Sequence, residues 1–333
     1  MAGAVRLILG ELAVCGIRVE AAAQRQTFTS PLLLFLPRDA GEDTGRGLNG
    51  LNGLNVLNQL HPGGRMITLD GEKIEVVDAH SHMGSRNKLA VHQIPRIMKF
   101  TAEDMMASMN GAGVDKVVTF AIGAGEPVDY RETNSYIASS MKKYPDRIIG
   151  FMRLNPAKGP KDTLQVLEEG VKLGLKGIKI HPLIEKCPAN DKANVYPLME
   201  AAEHHGLPVL FHCGLGEDAS PKRIAEVAKD FPKLSVILGH SGVIEGVRDA
   251  IDAAKRHDNL CMDSSAVGWL PFFCETISWA GIDRVMYGSD HPFNPMDWEV
   301  AKIVKHAQKH LKLQIEDLRK IMGGNLKRLV GIS

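Results

Sequence analysis

The sequence predicts an α/β protein, a (β/α)8 TIM barrel behind a poorly ordered N-terminal extension, and three observations predict it. Eight short runs rich in Val, Ile and Leu alternate with helical patterns: Glu75–His80, Lys116–Ala121, Ile148–Arg153, Gly177–His181, Pro208–His212, Ser235–His240, Leu260–Asp263 and Arg284–Asp290. Together these units fill about 250 residues, the usual length of such a barrel. His80, His181, His212, His240 and Asp290 each close one of the runs, and metal-type side chains at the ends of successive strands mark a catalytic mouth. A doubly wound open sheet would want a Gly-rich phosphate turn after an early strand. Met83-Gly84-Ser85-Arg86 is no such turn.

Taken in order, residues 1–65 read differently from the rest. Ser30–Pro37 is a short apolar patch, and Gly47–Asn58 repeats Gly-Leu-Asn nearly as a triplet, a period that fits neither helix nor strand. Residues 1–65 are expected to form an extension that is disordered or loosely docked, and residues 66–333 to form the barrel. The first barrel run ends Asp78-Ala79-His80-Ser81-His82. Residues two apart share a face of a strand, so both imidazoles project together. The loop from Met83 to Phe100, with Arg86, Lys88, His92 and Pro95, overhangs the mouth as a candidate lid. Thr101-Ala102-Glu103-Asp104 resembles a capping box, with Met105 and Met109 behind it as core filler. The third run closes on Arg153, and in the fourth Lys179 and His181 share a face. The fifth gives His212, with Cys213 packed on the opposite side. Ser220-Pro221 opens a helix whose Ile224, Val227, Ala228 and Phe231 form one face. Trp269 follows the seventh run as pocket wall or core, and the eighth carries Asp290.

With 44% hydrophobic and 24% charged residues, the 333-residue chain is ordinary globular material. A net charge of +1 gives no electrostatic reason to expect nucleic acid or an acidic membrane surface. The five cysteines are widely spaced and form no C-x-x-C, the reduced pattern of a cytoplasmic protein. No apolar run is long enough to span a bilayer, and Glu11 interrupts the one stretch that suggests a signal peptide.

Divalent ions such as zinc take imidazole nitrogen and carboxylate oxygen, and catalytic sites keep one position for water. His80, His82, His212 and Asp290 supply such a set. His240 would then stand beside the open position, able to orient or deprotonate the water. The order H-x-H (His80, His82), K-x-H-P (Lys179–Pro182), F-H-C-G (Phe211–Gly214), G-H-S-G (Gly239–Gly242) and G-S-D-x-P (Gly288–Pro292) resembles the amidohydrolase superfamily. Within it the chain is similar to the amidohydrolase-related branch (amidohydrolase family 2) that also holds metal-dependent decarboxylases. The resemblance covers about residues 74–331, including the closing Asn-Leu-Lys-Arg-Leu-Val-Gly-Ile. It implies metal ligation by His80, His82, His212 and Asp290, catalysis by His240, and a homodimer.

Many binuclear relatives bridge two metals with a modified lysine or a glutamate at the end of strand four. Here the terminal position is His181, so a single ion is expected, zinc first and manganese second. His181 is then a substrate contact, a second-site ligand or a structural histidine. Arg153 either receives a substrate carboxylate or forms a rim salt bridge. His204, His205, His257, His306 and His310 fall in helical patterns and are expected in solvent, whereas His291 is expected to be structural. The activity expected is a metal-dependent hydrolase using activated water on a small-molecule amide, lactone or similar bond. A non-oxidative decarboxylase on the same metal shell is the alternative, and a barrel that binds metal or ligand without turnover is the third reading.

Overall fold

The computed structural model describes residues 56–61, 64–69, 71–85, 99–123, 129–268 and 270–332. The N-terminal residues 1–55, most of the candidate lid (residues 86–98) and Trp269 lie outside the described residues. The first described elements are β1 (Val56–His61), β2 (Gly64–Leu69) and β3 (Glu72–Lys73), an antiparallel meander. The expected boundary between residues 65 and 66 therefore falls inside β2. Ile67 and Leu69 of that strand are buried in the same core cluster as Met105 and Met109.

The barrel follows. Its strands are β4 (Val77–Ser85), β6 (Lys116–Ala121), the pair β7 (Ile148–Gly150) and β8 (Met152–Arg153), β9 (Ile178–Ile180), β10 (Val209–His212), β11 (Val236–Gly239), β12 (Leu260–Asp263) and β13 (Val285–Met286). A two-residue β5 (Lys99–Phe100) pairs antiparallel with the end of β4. All the other barrel pairings are parallel. Phe151 joins β7 to β8 and donates its N–H to Thr119 O, so the two are one strand position. The seam closes between the first and last strands: Ala79 N donates to Tyr287 O at 2.9 Å, Asp290 N to His80 O at 2.7 Å, and His82 N to His291 O at 2.7 Å. The expected (β/α)8 barrel is present.

Two apolar layers hold it. Helix faces pack on the outside of the strands, and Ile224, Val227 and Ala228 of the helix Pro221–Asp230 are buried as their spacing predicts. Ser220 stands at that helix's N-cap, but its hydroxyl makes no cap hydrogen bond. The capping box at Thr101 and Asp104 is complete in both directions. Inside the barrel, Val77, Ala79, Val118, Phe120, Phe151 and Leu210 belong to a separate buried cluster. Leu326, from the closing helix Asn325–Val330, completes that cluster, with Leu329 and Val330 packed against it. Among the described residues, no helix is long and apolar enough to cross a membrane.

One irregularity positions the chemistry. Pairing of β4 with β6 shifts register between Asp78 and Ser81, where three steps on β4 match two on β6. Val77 and Ala79 belong to the interior cluster, and strict alternation would turn His80 and His82 away from it. The extra residue of the bulge restores them to the interior, with the rings 5.2 and 4.6 Å from that of Phe120. A bulge beside an active site commonly re-aims a side chain in this way.

Leu326→Ala should leave a cavity beneath the barrel and cost about 2–5 kcal/mol. Denaturant unfolding should show a lower midpoint with an unchanged slope.

Candidate metal centre

The mouth is built from strand ends. His80 and His82 come from β4, His212 ends β10, His240 follows β11, and Asp290 lies four residues beyond β13. His240 and Asp290 hold left-handed backbone angles, φ 66° and 58°. Such angles are uncommon outside glycine and collect where function over-determines the conformation.

His80, His82 and Asp290 each offer one ligand atom, and these atoms all lie within 4.8 Å of one another. His82 Nε2 is 3.0 Å and His80 Nε2 3.4 Å from Asp290 Oδ1. His80 Nδ1 donates to Asp263 Oδ2 at 2.7 Å. That bond leaves Nε2 as the bare nitrogen, the arrangement by which a carboxylate orients a ligating histidine. Lys179 Nζ stands 3.1 Å from the same Nε2 and over the Phe120 ring. Burial shapes the protonation of the whole group. It holds His80 and His240 well below the usual imidazole range and pushes His212 down to about 3. It also raises Asp290 and lowers Lys179. Neutral imidazoles are the form that binds metal.

His212 stands outside the three-residue cluster of mutually close ligand atoms, yet it lines the same pocket. Its Nε2 is buried and has no hydrogen-bond partner. A buried polar atom without a partner calls for a missing one, and a metal ion supplies it. The donor set of imidazole nitrogen and carboxylate oxygen therefore fits a divalent ion such as zinc or manganese. A second grouping, His80, His240 and Asp263, is already knit together by its own hydrogen bonds.

The pocket has a volume of about 250 Å³, and its walls include His82, Lys179, His181, His212, His240 and Asp290. Ile184 and Phe293 give it an apolar side. His181 is half-buried. Its ring stacks on His212 at 3.8 Å, and its Nδ1 accepts from Ile184 N at 3.4 Å, capping the short helix Pro182–Glu185. Arg153 also lines the pocket, but not as part of a rim salt bridge: it is fully buried. Its Nε and Nη2 donate to Glu185 Oε1 at 3.0 and 2.9 Å, and Nη1 donates to Ala121 O at 3.1 Å. Its remaining N–H groups lie under Gly123, where an added Cβ would come 2.3 Å from Nη2. The missing side chain lets the guanidinium, itself buried, pack against Gly123 in the lining of the pocket.

Sequence reasoning missed Asp263, Ser265, Glu185, Gly123 and Phe293. Asp263 closes the seventh run, so the rule that found the other strand-end residues extends to it. Glu185 and Gly123 carry no signal beyond their contacts. His291 is structural, as expected: its Nδ1 meets Asn294 O and its Nε2 meets Ser108 Oγ. Cys213 is a buried thiol, and burial pushes its pKa up.

A parallel barrel with imidazoles and a carboxylate gathered at the carboxyl ends of its strands defines a metal-dependent enzyme class. The chain belongs to the amidohydrolase family, whose model matches residues 77–332. No curated protein sequence matches it. Among solved structures it is similar to a 5-carboxyvanillate decarboxylase from Novosphingobium aromaticivorans, complexed with manganese and 4-hydroxy-3-methoxy-5-nitrobenzoic acid (TM-score 0.63, 16% identity, 78% of this chain and 96% of that one). It also resembles the 5-carboxyvanillate decarboxylase of Sphingomonas paucimobilis (TM-score 0.62, 16% identity, 78% and 100%). A third similar structure is the 2,6-dihydroxybenzoate decarboxylase from Rhizobium (TM-score 0.60, 18% identity, 78% and 99%). At these identities the likeness bears on the fold.

Elemental analysis of the purified protein should find about one divalent ion per chain, the count a single set of ligands supports. His82→Ala and His212→Ala should each strip it, while His240→Ala should retain it. Asp263→Asn should weaken metal affinity about 10–100-fold, the usual cost of losing the partner of a ligating histidine.

Proposed function

We propose that the protein is a metal-dependent non-oxidative decarboxylase of small carboxylates, with an aromatic ring as the favoured carrier. The observation that carries this reading is the guanidinium of Arg153, packed against Gly123 in the lining of the pocket that His82, His212 and Asp290 also line. Guanidinium matches carboxylate geometry in a bidentate way, and a second basic group, Lys179, lines the same wall. Phe293 and Ile184 offer an apolar flank on which a ring can lie. The activities of the decarboxylases of similar fold support the same choice, as analogy. Hydrolysis of an amide or lactone, the first expectation from the sequence, needs the same ligands but gives no use to a guanidinium in the pocket lining.

His80, His82, His212 and Asp290 would hold a divalent ion, which when bound would supply Lewis acidity towards a substrate oxygen. Arg153 holds the carboxylate, and Glu185, which accepts from both Arg153 and Tyr130, keeps the guanidinium in place. The carbon–carbon bond to the carboxylate breaks, carbon dioxide leaves, and its electron pair stays on the substrate carbon. A proton then takes the vacated position, with Asp290 and His240 as the groups that move it. Water is not a reactant.

A panel of hydroxylated aromatic carboxylates, amides and lactones in heavy-oxygen water tests the reading. Carbon dioxide should be released and no solvent oxygen should enter the product. Label in the product without carbon dioxide would return the hydrolase to first place. Gly123→Ala would place a Cβ 2.3 Å from Nη2, so it should displace the guanidinium and raise KM for carboxylate substrates by about tenfold, equal to about 1.4 kcal/mol of binding. An unchanged KM would remove Arg153 from substrate binding.

A further inference from the structure

Asp263 and Ser265 stand at the end of β12, both buried. Asp263 Oδ1 accepts the backbone N–H of His240 at 2.9 Å and that of Ser265 at 3.0 Å. Ser265 Oγ lies 2.5 Å from the same oxygen. Two oxygens at that separation repel unless a proton lies between them. A carboxylate that already accepts from His80 Nδ1 and two backbone amides has none to give, so the single hydroxyl hydrogen of Ser265 points at Asp263. The serine's lone pairs face the other way, where His240 Nδ1 is 2.9 Å from Oγ and His80 Nδ1, which donates to Asp263 Oδ2 at 2.7 Å, is farther off at 3.3 Å. A bare nitrogen would set lone pair against lone pair at that distance, so Nδ1 must carry the hydrogen. A neutral imidazole has only one. His240 Nε2 is then bare, and it is the ring nitrogen left for the pocket that His240 lines.

We propose that Ser265 is a positioning residue which, backed by Asp263, fixes His240 as the Nδ1–H tautomer and offers its bare Nε2 to the substrate as a hydrogen-bond acceptor. One carboxylate thus sets two imidazoles, His80 directly and His240 through a hydroxyl. The pocket gains a fixed demand: the group opposite His240 must bring an O–H or N–H, because a substrate lacking one leaves a buried acceptor unpaired. The inference goes beyond the proposed decarboxylation and holds whichever bond is broken.

Two-bond proton–nitrogen spectra of protein grown on 15N-histidine and loaded with zinc test it, with His240 identified by its absence in His240→Gln. In the unaltered protein at neutral pH, Nδ1 of His240 should give a protonated-type signal and Nε2 an unprotonated one. Ser265→Ala should lose that pattern in favour of the Nε2–H form or an average of the two. Ser265→Thr, which keeps the hydroxyl, should restore it. An Nε2–H or doubly protonated ring in the unaltered protein overturns the proposal, and that spectrum needs no variant to fold. An unchanged pattern in zinc-bound Ser265→Ala overturns it as well. Neither outcome depends on turnover, so a failed decarboxylase assay and a failed tautomer are separate results.

Discussion

A buried carboxylate is costly unless its oxygens are filled with donors, and the mouth of this barrel is arranged around filling one. Asp263 takes the imidazole of His80 on one oxygen and the amides of His240 and Ser265 on the other. Satisfying it fixes the tautomer of His80 and the left-handed turn at His240, and it ties the end of β12 to β4 and β11. Asp78 does similar work on the seam. Its carboxyl, raised by burial to about 8, accepts from His80 N and from both the amide and the hydroxyl of Ser289. Between them the two acids hold in register the strand ends that carry His80, His240 and Asp290.

Much of this was legible in the residues. Each of the eight runs contains a strand or the beginning of one, because Val, Ile and Leu in short runs between helical patterns can be satisfied only by a sheet covered on both faces. His80 and His82 share a face, as spacing two requires. Which face they share was not legible. Alternation counted from Val77 and Ala79 turns them outward, and a one-residue bulge that leaves no mark in composition turns them in. Asp263 was visible as a strand-end acid but lacked the histidine motifs that drew attention to its neighbours. Glu185 and Gly123 act through partners distant in sequence, Arg153 in both cases, and one chain read alone cannot reveal such pairings.

The shift from hydrolysis toward decarboxylation has a physical root as well. The sequence offered His181 as a substrate contact, a second-site ligand or a structural histidine. His181 accepts from the backbone of the helix that Pro182 begins and stacks on His212, so part of its capacity is spent on structure. Arg153 changed in the other direction. A strand-end arginine reads equally well as rim or pocket, and the absent Cβ at Gly123 makes room for it in the cavity lining.

The seam between β4 and the segment after β13 has a further consequence, for the order of events in the cell. Asp290 and His80 are joined by a backbone hydrogen bond as well as by proximity at the ligand cluster, so closing the barrel and assembling the cluster are one act. The two residues are separated by most of the barrel's length. If this cluster is the proposed metal site, a nascent chain would have no complete site until its last strand has cleared the ribosome. Loading would then be confined to finished molecules, and the proposed ion would act as a latch, since whatever binds only the closed form stabilises it.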